Sequence, residues 1–94
     1  MLMNVQIVML NIMENKMREF NGKSFSERHG GPFDRGAADS YYHRPRDPHY
    51  WPEGTNNGRR REMAEMSAEE VQAYLAGYEW NEQFGDKKMW DSEG

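Results

Sequence analysis

The chain has 94 residues, 36% of them apolar and 30% charged, no cysteine, and a formal net charge of −4. That length allows one small domain with a thin core, since small chains bury a smaller share of their surface. The missing cysteines exclude a disulfide framework and thiolate metal sites, and the acidic balance argues against a chain that grips phosphates by its overall charge.

The charge is unevenly placed. Residues 1–34 are neutral, residues 35–61 carry net +3, all of it from six arginines, and residues 62–94 carry net −7. A basic island therefore sits in an acidic chain.

Residues 1–13 are apolar but shorter than the roughly 20 residues of a membrane span. They lack the basic leader and small-residue cleavage site of a secretory signal. They read as a non-native extension or a poorly ordered, loosely docked helix, with a short strand over residues 5–8 as the alternative; Met13 and Met17 offer later starts. Residues 21–32 are polar and glycine-rich and read as a linker. The expected organisation is a leader and linker over 1–31, a small α-helical domain over 32–85, and an acidic tail over 86–94 in which Met89 and Trp90 dock back.

A first helix is expected over about 34–43. Asp34 suits the N-cap, and Pro45 biases Arg44 away from helical angles. Phe33, Ala37 and Tyr41 recur on one face, with Ala38 and Tyr42 beside them. Gly36 costs such a helix about 1 kcal/mol relative to alanine, which close approach of another backbone would offset. Residues 44–66 hold Pro45, Pro48, Pro52, Gly54 and Gly58 and read as a long ordered loop, excluded from helix and central strand. Tyr50 and Trp51 within it are expected to fold back on the helices. Residues 62–66 read as one helical turn.

The strongest element is a helix over 67–84. Ser67 and Glu70 have the spacing of a capping box, Glu69 and Glu70 complement the helix dipole, and Gly85 follows the last turn where a left-handed residue usually ends a helix. Val71, Tyr74, Leu75 and Tyr78 form one stripe; Ala73, Gly77, Trp80 and Phe84 form its neighbour. Ala73 and Gly77 make a flat patch that matches Gly36 and Ala37. The economical packing is a close antiparallel helix pair clamped by Tyr41, Tyr42, Tyr74, Tyr78 and Trp80. The fold class expected is mostly α.

Arg35-Gly36, Arg44, Pro48-His49-Tyr50, Pro52 to Thr55, and Ala73-Tyr74-Leu75-Ala76-Gly77-Tyr78 resemble the ribosome modulation factor family in its broad sense, over residues 33–85. That group has a glycine-bearing first helix, a proline–tyrosine turn, and a second helix with an aromatic–x–x–Gly–aromatic signature. The resemblance implies a two-helix cytoplasmic protein that docks on the small ribosomal subunit and favours a stored, inactive ribosome. The family's founding type is basic, whereas this chain is acidic with a longer inter-helix loop. Small proteins of phages and their hosts look similar as well.

Arg59, Arg60 and Arg61, with Arg44 and Arg46, are the candidates for a polyanion contact, because arginine pairs bidentately with phosphate; Tyr50 or Trp51 would stack on an unpaired base. The competing reading is a solvated run paired with Glu62, Glu65, Glu69 and Glu70. His29, His43 and His49 with Asp39 and Asp47 lack zinc spacing, so no metal is expected. Asp39-Ser40 near His43 lacks the framework of a catalytic triad, and Gly54 to Gly58 lacks the lysine of a phosphate-cradling loop. A non-enzymatic binding protein without cofactor, small-molecule substrate or membrane contact follows. Its partner is the ribosome or its RNA; the alternative is a protein–protein adaptor using the acidic helix and an exposed Trp51 or Trp90.

Overall fold

Asn21 and Gly22 turn the chain back on itself in the stretch that reads as a linker. Both have positive φ, 53° and 80°, the backbone that a two-residue hairpin turn requires. They join β1 (Met17–Phe20) to β2 (Lys23–Ser26) in an antiparallel hairpin that pairs Met17 with Ser26 and Phe20 with Lys23. The computed structural model describes residues 16–89; the readings of residues 1–13 and of Trp90 lie outside them. The hairpin is fastened by aromatics. Phe25 stacks on Phe33 with centroids 5.4 Å apart, and buried Phe20 meets the Phe84 ring edge-on at 6.4 Å.

Helix α1 spans Pro32–Tyr41, two residues earlier at each end than expected. Pro32 occupies the first turn, where its fixed φ is already helical and its missing N–H costs nothing. Asp34 lies inside the helix and its carboxylate accepts the Gly30 N–H at 2.9 Å. The far end closes before Pro45 acts. His43 has φ 62°, the His43 N–H donates to the Ser40 carbonyl at 3.0 Å, and the Arg44 N–H donates to the Asp39 carbonyl at 2.8 Å. These are the two hydrogen bonds of a Schellman cap, with histidine where glycine is usual.

The segment that follows is not purely loop. β3 (His49–Tyr50) pairs antiparallel with β4 (Arg61–Glu62), His49 opposite Glu62 and Tyr50 opposite Arg61. Pro48 and Pro52 flank β3 without interrupting a ladder this short. A 3-10 turn over Met63–Glu65 leads to α2 (Ala68–Phe84). The capping box forms: Glu70 N–H donates to Ser67 Oγ at 3.1 Å, and Ser67 N–H donates to the Glu70 carboxylate at 2.9 Å. Gly85 ends α2 in extended rather than left-handed backbone, with φ −91°. Its lack of a side chain serves packing, since a Cβ there would come within 1.9 Å of Asn81 Oδ1.

The two helices touch through glycine. A Cβ on Gly36 would lie 2.0 Å from the Tyr74 carbonyl oxygen, and one on Gly77 would lie 2.1 Å from that of Phe33. Phe33 also meets Trp80, while Ser40, later on α1, meets Asn81 and Glu82. An antiparallel pair running side by side would carry Ser40 toward the start of α2. The helices instead cross, with the glycines at the crossing.

The fold is therefore not the mostly α, two-helix antiparallel arrangement expected from the sequence. It is two crossed helices with two small antiparallel hairpins. The ladders add little core themselves: of their residues only Phe20 and His49 are buried.

Past Gly85 the chain docks through lysines. Lys87 Nζ donates to the Ser40 carbonyl and Oγ, both at 3.1 Å, and to the Glu82 carboxylate; the Lys88 N–H donates to the Tyr41 carbonyl at 2.7 Å. Hydrogen bonds from Lys87, and then Ser40, hold the Glu82 carboxyl below its ordinary pKa. Met89, expected to dock, is 84% exposed. Among the described residues no helix is long and apolar enough to cross a membrane.

Candidate functional site

Asp39 is a buried hub of hydrogen bonds between the two helices and the segment that follows α1. It projects from α1 and accepts hydrogen bonds from the Tyr74 hydroxyl and, at 3.2 Å, from Arg44 Nη1. The Tyr74 oxygen in turn accepts the Asp47 N–H at 2.9 Å. The Tyr78 hydroxyl, one turn further along α2, donates to the Arg44 carbonyl. Two phenols on α2 thus pin the backbone of residues 44–47, which local sequence alone would leave free. His49 completes the hub: its Nδ1 donates to the Asp47 carbonyl at 2.7 Å and lies 3.8 Å from Asp39 Oδ2.

Tyr74 is fully buried. Burial, with the Asp39 carboxylate adding to it, raises its phenol well above the ordinary value of 10.0. A group whose folded pKa is raised leaves stability intact below its unfolded value and removes it above. Unfolding by alkali is accordingly expected to begin near pH 10, with the Tyr74 phenol ionising only as the fold opens. Tyrosinate absorbance and circular dichroism followed together against pH check this; a Tyr74 that ionises at ordinary pH in an intact fold would contradict it.

Pinning the strap opens a cleft of about 590 Å³ beside it. Helix α1 lends Arg35 and Tyr42 to its wall as well as Asp39; the strap and β3 lend Arg44, Asp47 and His49. Trp51, Thr55 and Arg60 close it from the loop that leads to β4. Three guanidiniums and two carboxylates line it, and Asp34 and Glu62 pair with Arg35 and Arg60 beside it, so the cleft is rich in charge of both signs. Thr55 Oγ1 is buried with no hydrogen-bond partner among the described residues.

The candidate arginines separate into two sets. Arg44 lies over the Tyr42 ring at 4.8 Å with its side chain 55% exposed, and Arg60 is held at 2.9 Å by Asp47 and 3.3 Å by Glu62; both line the cleft, as does Trp51. Arg46 stacks on Tyr78 at 4.4 Å and pairs with Glu79 at 3.3 Å, and Arg59 pairs with Glu65 at 2.7 Å. Arg61 sits half-buried in β4. Burial first, and then the neighbouring Glu70 carboxylate, raise the phenol pKa of Tyr50, its partner across the ladder. None of these last four lines the cleft.

Of the helix-packing residues, Gly36 and Gly77 meet the opposing backbone and Tyr74 and Tyr78 are buried. Ala37, Ala73 and Tyr41 are half-buried, and half-buried Trp80 lies between Phe33 and Phe84. Tyr42 is 40% exposed and faces the cleft instead of the seam.

Sequence reasoning passed over Arg35 and Thr55 as site residues and weighed Asp39 and His49 only as ligands, a triad member or a turn residue. Arg35 precedes the one glycine of α1, which fixes the helix face that must meet α2 and so turns Arg35 away from it; that signal was readable. Thr55 carried none. Among the described residues no group of three or more histidine, aspartate or glutamate side chains could hold a metal ion. No protein-family model, no curated protein and no solved structure matches the chain.

Proposed function

We propose that the protein is a non-enzymatic, cytoplasmic RNA-docking protein of the ribosome modulation factor kind, which engages ribosomal RNA through the arginine-lined cleft and thereby regulates translation. The observation that carries this reading is the convergence of Arg35, Arg44 and Arg60, from three separate parts of the chain, with Trp51 and Tyr42 around one depression. Guanidinium pairs with phosphate and aromatic faces with bases are the two contacts that single-stranded RNA offers. The ion pairs already present do not lock these arginines. The Arg44 and Arg60 side chains stay 55% and 34% exposed beside their carboxylates, so a phosphate can reach them without displacing those partners.

Co-sedimentation with ribosomes and direct binding to ribosomal RNA at low and high salt test the reading. Binding is expected to weaken as salt rises, and the double substitution Arg44→Ala with Arg60→Ala is expected to flatten that dependence by about one to two phosphate contacts. Absent or salt-independent binding would overturn it. The second reading, a protein–protein adaptor without nucleic-acid contact, is favoured by the face of α2 that carries Leu75, 39% exposed with Glu79 one turn further on. Capture of a defined protein by that face, together with failure of RNA binding, would select it.

A further inference from the structure

We infer that the cleft holds a single unpaired nucleotide, its base against Trp51 and its phosphate on the arginines, so that the RNA recognised is single-stranded. This rests on the RNA reading above and names the part of the RNA that enters.

Size comes first. A depression of about 590 Å³ lies in the range of small-ligand sites. It is far smaller than the footprint of a duplex, whose phosphates lie on the outside and whose bases are stacked away from any pocket. A duplex would meet the outer arginines, Arg46 and Arg59, and leave the cleft empty.

The lining fits a nucleotide's separate parts. Tyr42 and Arg44 form a stacked pair at 4.8 Å, and Trp51 lines the same cavity from β3's far end. Bases stack on aromatic rings and on guanidinium planes alike. Arg35 is 15% exposed and its Nε is held by Asp34 at 3.2 Å, so its position is set before an anion arrives. Arg60 is held likewise by Asp47 and Glu62.

The test uses the full chain with four probes: guanosine monophosphate, inorganic phosphate, a single-stranded RNA oligonucleotide, and the duplex of the same sequence. The mononucleotide is expected to shift the Trp51 indole and Tyr42 ring resonances, and inorganic phosphate to leave the Trp51 indole unmoved. The single strand is expected to bind at least tenfold tighter than the duplex. Trp51→Ala is expected to weaken the single strand on the order of tenfold or more, and Trp51→Phe to restore most of it. The Trp51 backbone N–H is held by the Gly30 carbonyl at 2.7 Å, so the local backbone keeps an anchor in both variants. Equal binding of strand and duplex, or an indifferent Trp51→Ala, alongside salt-dependent RNA binding would overturn the single-nucleotide site and leave RNA docking standing. Loss of all salt-dependent RNA binding would overturn both.

Discussion

Replacing Gly36 or Gly77 with alanine is expected to destabilise the protein by about 3 kcal/mol or more, a large share of the stability of a domain this small. The cause is backbone, not side chain. The new methyl would sit 2.0 Å from the Tyr74 carbonyl oxygen in one case and 2.1 Å from that of Phe33 in the other. No rotamer change relieves either clash, so the helices must separate. Separation draws Tyr74 and Tyr78 away from the strap they hold. In an uncrowded helix the same change stabilises by about 1 kcal/mol, so even the sign is informative. Urea unfolding measures it, and a midpoint that stays or rises would show that the helices do not meet at these glycines.

The second large effect is expected from Tyr74→Phe, which removes one oxygen and almost no volume. That oxygen donates to Asp39 and accepts from Asp47. Without it a carboxylate with 5% of its side chain exposed keeps only Arg44 and the more distant His49 as partners, and the Asp47 N–H loses its acceptor. Leaving buried polar groups unpaired costs about 2–3 kcal/mol, or a fall of roughly 10 °C or more in Tm for a chain this long. RNA binding is expected to weaken as well, since the strap carries Arg44. An unchanged Tm would mean that the hub contributes nothing. Asp39→Asn is the companion variant: it keeps the shape, removes the charge that faces Arg44, and is expected to cost less than Tyr74→Phe.

Legibility in the sequence followed the range of the interactions. The α2 start was readable because Ser67 and Glu70 make a local bargain that needs no tertiary partner. The meeting of Gly36 and Gly77 was readable because glycine inside a helix is costly unless something comes close. The β1–β2 hairpin was also written locally, in Asn21-Gly22. The polar residues around it drew a linker reading, although the two-residue turn was the stronger signal. The β3–β4 pair was not readable in this way. Its two strands are two residues each, ten residues apart, and their pairing depends on the turns between. The direction of α1 across α2 was likewise out of reach, because small-residue patches specify close approach and not crossing angle.

The site divides the same way. Arg44, Arg60 and Trp51 were chosen for their residue type, and the fold brings them to one cavity. Arg46, Arg59, Arg61 and Tyr50 were chosen on the same grounds, and each is drawn to a carboxylate, a ring or a ladder elsewhere. Charge runs record composition; which guanidinium reaches the cleft depends on the strap, and the strap depends on two phenols from a distant helix.

The central claim is that the cleft framed by the Asp39 hub is where RNA docks. Chemical-shift mapping of the isotopically labelled protein with a single-stranded RNA tests it most directly. Shifts concentrated on Arg35, Tyr42, Arg44, Trp51, Thr55 and Arg60, fading as salt is raised, are the result expected. Shifts confined to the face of α2 around Leu75, or a spectrum unmoved at saturating RNA, would contradict it.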